Sequence, residues 1–362
     1  MRITGVESIT IEVPAAWPGG RDTWTVVVVR SNDGTVGIGR GGDVGIVSDV
    51  LAPLLVGEDP RMISMLWDRM YEAAWRFGGP GAPGMASIGA VDVALWDLYG
   101  KSCGEPLWRL LGGFRDTVPA YADGSGYADE EDQSADAIAR LVKKHADLGF
   151  QAIKVHMYRA ARPEDVVERV RSCRDLIGPD VRLMVDLHQA WDGKTAVDLA
   201  RRLEPYSLYW IEEPVRHDDE PANMRMVQQA TSAMVAGGEG QGTLYGIRRL
   251  LTEGALQLVQ TDILIGGGYT GLLRIAALAE AFHVPIAPHG AQFPDFNSHL
   301  VAAVPNGLMV STYPDCEPHE IWSKMYDPPF RVNDGQITLS DRPGLGHELD
   351  WGFIERHRAS AG

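Results

Sequence analysis

The sequence predicts a (β/α) TIM-type barrel with an N-terminal α+β capping domain in front of it and a C-terminal tail that completes the cap. Three observations carry this. Short apolar runs alternate with amphipathic helical segments between about residues 118 and 314, the pattern of parallel strands buried on both faces and joined by crossover helices. Three of those runs close on an acid, Asp186 in RLMVDLHQ, Glu212 in LYWIEEP and Glu239 in MVAGGEG, with gaps of 26 and 27 residues, each about one strand-helix unit. Acids recurring at the C-terminal ends of successive apolar strands converge on one rim of a barrel, where a hard divalent cation finds oxygen ligands.

The first stretch, to about residue 42, alternates like antiparallel strands: ITGVESITIEV, then TWTVVVVRS, the turn NDG, and TVGIGRG. Between the first two lies a Gly/Pro-rich loop carrying Trp17, Arg21, Asp22 and Trp24. From Val44 to Leu111 the period becomes helical, with Ile88, Val91, Leu95 and Leu98 on one face and Gly112-Gly113 as the stop. The domain reading is therefore a cap over 1–115, a barrel over 116–320 and a segment 321–362 that packs back on the cap. Eight strands are expected in the barrel: VPAYADG, QAIKVHM, RLMVDLHQ, LYWIEEP, MVAGGEG, LQLVQTDI, VPIAPHG and LMVSTYP, with seven helical segments between them. An open doubly wound sheet is the alternative, but it calls for a Gly-rich phosphate turn after the first strand, and ADGSGYADEED is a poor one.

Composition narrows the partners. With 49 acids against 33 bases the formal charge is −16, which argues against nucleic acid or an anionic membrane. The three cysteines, Cys103, Cys173 and Cys316, are odd in number and far apart, as expected of reduced thiols. The chain opens without a charged-then-apolar leader and has no membrane-length apolar run, so a cytoplasmic protein is expected.

Other strand ends add chemistry. Lys154 and His156 stand two apart in the second strand, and period-two alternation points both into the barrel mouth. His188 follows Asp186 at the same spacing in the third. Asp262 ends the sixth, and His289 follows 27 residues later in the seventh, where the acid could hold the imidazole tautomer and raise its basicity. The other seven histidines share no such strand end. A cation on three carboxylates neutralises a substrate carboxylate and stabilises the charge left when the adjacent carbon loses a proton, which a poised histidine or lysine removes.

The chain resembles the enolase superfamily, in its mandelate racemase-like branch, over nearly its whole length. ASIGAVDVALWDLYGKSCGEPLWRLLGG is similar to the branch's cap helix, and IKVH, VDLHQ, IEEP, GGE, TDILIGGGYTG and PIAPHG follow in family order. The resemblance implies Asp186, Glu212 and Glu239 as Mg²⁺ ligands, with Mn²⁺ a possible substitute, His289 with Asp262 as a base dyad, and Lys154 beside the substrate carboxylate. It also implies that loops around Arg21 to Trp24 and Arg76 to Gly79 shape substrate choice, that Glu213 is structural or supports the ligands from behind, and that the protein forms a homo-oligomer.

Three positions depart from the racemase pattern. His156 replaces the second lysine of Lys-x-Lys, so a two-base racemisation is less expected. His188 stands where racemase-like members have Asn; in members resembling galactonate and mannonate dehydratases, a histidine there protonates the leaving hydroxyl. The eighth-strand slot that often holds a glutamate falls on Ser311, leaving Glu317 as a candidate nearby. The reading is a Mg²⁺-dependent dehydratase turning an acid sugar, an aldonate or aldarate, into a 2-keto-3-deoxy acid through an enediolate. A racemase or epimerase using His156 and His289 is the alternative, and a barrel metal-dependent hydrolase a more distant one.

Overall fold

The computed structural model describes residues 1–14, 21–74, 77, 83–125, 132–157, 162–217, 221–314 and 324–359. Strands β1 (Ile3–Pro14), β2 (Arg21–Ser31) and β3 (Val36–Arg40) form an antiparallel sheet in that order. Val26 to Val29 in β2 are all buried, because this central strand is covered on both faces. Helices Ile63–Ala74 and Pro83–Cys103 complete the layer.

Helix Pro83–Cys103 differs from the expectation of a single apolar face. Ile88, Val91, Leu95 and Leu98 are fully buried, but so are Ala90, Val93, Ala94 and Asp97 on other faces. The helix lies between the cap sheet and the barrel, and glycine sets the approach on both sides. A Cβ on Gly39 of β3 would stand 2.2 Å from the Ala90 carbonyl oxygen, and one on Gly89 would stand 2.3 Å from the Leu264 carbonyl oxygen.

The barrel strands are β4 (Thr117–Ser125), β5 (Ala152–His156), β6 (Arg182–Asp186), β7 (Trp210–Glu212), β8 (Met234–Gly237), β9 (Leu258–Val259) and β10 (Val310–Thr312). All seven pair in parallel, in the order β10-β4-β5-β6-β7-β8-β9. The run VPIAPHG, expected as a further strand, enters only as single bridges from Ile286 to Val259 on one side and Gly307 on the other. Pro285 and Pro288 explain this: neither has an N–H to extend a ladder. The bridges still close the ring, with the Ala287 amide donating to the Val259 oxygen at 3.0 Å and the Leu308 amide to the Ile286 oxygen at 2.8 Å. Helices of 7 to 15 residues occupy the crossovers.

The C-terminal segments touch both layers. Gln336–Thr338 pairs antiparallel with the start of β4, while helix Trp351–His357 leads to a bridge between Arg358 and Ile11 of β1. Among the described residues no helix is long and apolar enough to cross a membrane.

One buried carboxylate ties three of these parts together. Asp97 accepts from the Ile38 amide of β3 at 2.9 Å and from the Leu345 amide of the C-terminal segment at 2.8 Å, and its carboxylate lies 2.8 Å from the Lys101 ammonium on its own helix. Removing one partner of a buried ion pair strands the other, so Asp97→Ala should destabilise the protein by about 3–5 kcal/mol in urea unfolding. Glu348 binds the same lysine but is 62% exposed, and Glu348→Ala should change stability by less than about 1 kcal/mol. Equal losses in the two variants would refute this account of the junction.

Candidate active site

The site is built on period-two alternation. Tyr121, Ala152, Met184, Trp210, Ala236, Leu258, Ala287 and Met309 point inward from the eight positions of the ring and pack together as an apolar floor. Two residues further along, the same parity brings Asp123, Lys154, Asp186, Glu212, Gly238, Gln260, His289 and Ser311 inward. The polar mouth is therefore the next inward position above a sealed plug.

Lys154 is at its centre. The side chain is fully buried, with Nζ 2.6 Å from Glu212 Oε1, 3.4 Å from Asp123 Oδ2 and 3.9 Å from Asp186 Oδ2. Burial alone would drive the ammonium toward neutrality, but the charges of Asp123 and Glu212 outweigh it and keep the lysine well above its ordinary value. Glu212 is held from both sides: Trp210 Nε1 and Gln260 Nε2 donate to Oε2 at 3.0 and 2.7 Å. Burial raises its carboxyl, with Lys154 opposing.

His156 is buried beside the lysine. Its Nε2 donates to Asp123 Oδ1, and its Nδ1 lies 2.7 Å from His188 Nε2 and 3.3 Å from Asp186 Oδ2. Although burial opposes it, the Asp123 charge and hydrogen bond lift the imidazole to about 9. With both nitrogens of His156 protonated, His188 Nε2 is the acceptor, which places the proton of a neutral His188 on Nδ1. Burial first, and then the positive charges of His156 and Lys154, lower His188 against the pull of Asp186.

His188 arrives by a route that alternation does not describe. β6 ends at Asp186, and His188 and Gln189 then take left-handed conformations at φ 48° and 57°. The His188 amide donates to Asp186 Oδ1 at 2.9 Å, an Asx-type closure that stabilises the turn. Glu239, unlike His188, is off the inward parity. Gly238, at φ 99°, ends the β8 run, and the following Glu239 reaches Gln189 Nε2 at 3.2 Å and His289 Nε2 at 3.4 Å. His289 Nδ1 meets Asp262 Oδ2 at 3.4 Å, and with a third of its side chain exposed it faces the opening. Against burial, the Asp262 hydrogen bond and the charges of Glu239 and Asp262 raise it to about 10.

The donor chemistry fits a hard divalent cation. Asp186, Glu212 and Glu239 offer only carboxylate oxygens from three consecutive strand ends, and Asp186 is held well below the usual carboxylate range because a His156 hydrogen bond and the Lys154 charge outweigh its burial. In this arrangement Glu212 Oε1 serves Lys154. The ligand atoms standing closest together, within 4.8 Å among the described residues, belong to His156, Asp186 and His188 and to Glu213, His217 and Glu239. His217, one of the seven histidines set aside in the sequence, thus lies beside the site, with Nδ1 3.7 Å from Glu213 Oε2.

Asp123 is the clearest residue that sequence reasoning passed over, although the signal was present: it ends the first apolar strand as the other acids end theirs. It pairs with Lys154 and His156 and accepts from Ser311 Oγ at 2.6 Å. The eighth-strand serine is therefore committed to a neighbouring carboxylate. Glu317, Cys316, Trp17, Arg76, Gly78 and Gly79 lie outside the described residues, as do the side chains of Arg21 and Asp22.

Comparison with known proteins places this architecture. Residues 14–112 match the N-terminal domain model of mandelate racemase/muconate lactonizing enzyme, and residues 137–353 match the enolase C-terminal domain-like model. The chain belongs to the mandelate racemase/muconate lactonizing enzyme family of the enolase superfamily. Among its relatives in that family, the 3,6-anhydro-alpha-L-galactonate cycloisomerase of Streptomyces coelicolor is 36% identical over 91% of this chain and 90% of its own length. The arabinonate dehydratase of Saccharolobus solfataricus is 30% identical over 92% and 90%. A mandelate racemase/muconate lactonizing enzyme from a marine actinobacterium, solved in complex with magnesium, superposes with a TM-score of 0.89 at 32% identity, covering 99% of each chain.

The His289 dyad makes a direct prediction for protein stripped of divalent cations. Asp262→Asn removes the largest of the influences that raise the imidazole, so its titration should fall from about 10 toward the ordinary 6.5, read in histidine-ring NMR. Because the folded value lies above the free value, the pair stabilises the fold fully below about pH 6.5 and that contribution is lost as pH rises toward 10. An unchanged titration in Asp262→Asn would refute the dyad.

Proposed function

We propose that this chain is a sugar-acid lyase, a Mg²⁺-dependent dehydratase that removes the C2 proton of an aldonate or aldarate and expels the 3-hydroxyl. One observation supports this above others. The candidate base His289 and the candidate acid His188 come from the seventh and third positions of an eight-position ring, opposite each other across the mouth. That placement suits loss of a proton from one face of the substrate and protonation of a leaving oxygen on the other.

His289, oriented by Asp262, takes the C2 proton in its neutral form, which a cation on Glu239 would favour by offsetting one of the charges that keep the imidazole protonated in cation-free protein. The C–H electron pair first moves into the carboxylate as an enediolate; it then returns to form the C2=C3 bond as the C3–O bond breaks, and His188 gives its Nδ1 proton to the departing hydroxyl, which leaves as water. In the same step His156 passes a proton to His188 Nε2 across the 2.7 Å contact, so His188 stays neutral. The resulting enol ketonises to the 2-keto-3-deoxy acid by taking a proton at C3. Lys154 supplies a fixed positive charge beneath the carboxylate end. Asp186, Glu212 and Glu239 would hold Mg²⁺, which neutralises the substrate carboxylate and stabilises the enediolate charge.

The racemase alternative needs a second base facing the substrate. His156 is almost fully buried behind His188 and bound to Asp123 and Asp186, which favours elimination over racemisation. A cycloisomerase reading has its own support in the 36% identical relative. The chemistry is closely shared: the leaving C3 oxygen of a 3,6-anhydro acid stays tethered to the product, so no water is lost.

Mass spectrometry separates the two, since dehydration removes one water and cycloisomerisation conserves mass. With Mg²⁺ and an acid-sugar panel in D₂O, His289→Asn should lose C2 exchange by about 10²–10⁴-fold. His188→Asn should retain exchange while keto-acid formation falls by a similar ~10²–10⁴-fold factor. Identical loss of exchange in both variants would overturn the division of roles. Separately, Glu239→Gln should weaken Mg²⁺ binding in isothermal titration calorimetry by about 10-fold or more, and wild-type affinity would remove Glu239 from the ligand set.

A further inference from the structure

We infer that Asn297 is a positioning residue for the base His289; this rests on His289 being the base. Asn297 is fully buried in helix Pro294–Ala303, and its Nδ2 donates to two successive carbonyl oxygens, those of His289 at 3.2 Å and Gly290 at 3.3 Å. The two amide hydrogens together fix the two successive peptide planes that follow the base.

That restraint is needed because the sheet supplies little here. The last bridge in this run is at Ile286, Pro288 has no N–H, and the His289 amide reaches the Gln260 oxygen at a long 3.2 Å. Asp262 holds the ring at 3.4 Å, a weak grip by itself. Gly290, at φ 105°, passes so close to the dyad that a Cβ would stand 2.9 Å from Asp262 Oδ2. A small displacement of this turn would change the Asp262–His289 geometry.

The orientation of the amide is dictated by its acceptors. Turned the other way, Oδ1 would face two carbonyl oxygens; in the observed orientation Oδ1 is buried without a hydrogen-bond partner among the described residues. Leaving a buried acceptor unsatisfied is unfavourable, and the arrangement tolerates it to keep both donors on the turn after the base. Arg40 of β3 holds the other end of the same turn, donating to the Gln292 oxygen at 2.9 Å while paired with Asp295 at 2.8 Å.

A matched control exists at the opposite end of the same run. Asn306 Nδ2 also donates to two carbonyls, Ala276 at 3.0 Å and Val284 at 3.1 Å, far from the base in the chain. Asn297→Ala should lower kcat for keto-acid formation and the rate of C2 exchange together by about 10- to 100-fold, with KM changed by less than about twofold. Asn306→Ala should lose thermal stability and keep wild-type kcat. Asn297→Ser, which removes less volume, is measured alongside so that the result does not depend on the alanine variant folding. Independently of turnover, the ¹⁵N-histidine ring signal of His289, assigned by its loss in His289→Asn, should shift in both Asn297 variants and remain in place in Asn306→Ala. An unchanged His289 signal, or equal kcat in Asn297→Ala and Asn306→Ala, would overturn the inference. If no sugar acid turns over in the wild type, the proposed function fails while the ring spectra still decide the role of Asn297.

Discussion

Everything in the mouth depends on the burial of one ammonium. Lys154 stands fully buried among Asp123, Asp186 and Glu212, with contacts from 2.6 to 3.9 Å. Three carboxylates at that depth would repel one another and draw protons, so a fixed cation is what allows them to remain charged. Taking these ions out of water is expensive, and only close pairing with further hydrogen bonds offsets the penalty. Those bonds are present: Trp210 and Gln260 on Glu212, Ser311 and His156 on Asp123. The apolar floor beneath excludes solvent from below and so strengthens each interaction above it.

The cap is joined to this mouth by buried contacts as well as by shape. Helix Pro83–Cys103 has glycine-mediated contacts with the cap sheet on one side and Leu264 on the other, just beyond Asp262. Arg40 leaves the cap sheet to pair with Asp295 and packs its guanidinium 4.8 Å from the Phe296 ring centroid. Movement of the cap would therefore be felt by the turn after His289. Cap seating and the position of His289 are parts of one packed assembly.

Much of the fold and part of the site were legible from pattern. Apolar runs of strand length, separated by helical segments, give the barrel because both faces of a parallel strand are covered. Lys154, His156, Asp186 and Glu212 follow from alternation within strands that remain regular to their ends. Where the backbone leaves the strand, alternation stops being informative. His188 comes inward through a left-handed turn and Glu239 follows a glycine at φ 99°, whereas His289 keeps the inward parity beyond two prolines that interrupt the ladder. His217 sits beside Glu213 through a loop that no periodicity describes.

By itself the sequence determined which side chains exist at the strand ends, their parity within each strand and the family they spell out, because these depend only on local order along the chain. Tertiary structure alone decided their partners. It set Asp123 between Lys154 and His156, placed His156 behind His188, committed Ser311 to Asp123 and put the Asn297 amide on the turn after His289. The physical reason is that protonation state and orientation arise from charges and donors contributed by other strands, at distances that closure of the ring fixes and that spacing along one strand does not contain.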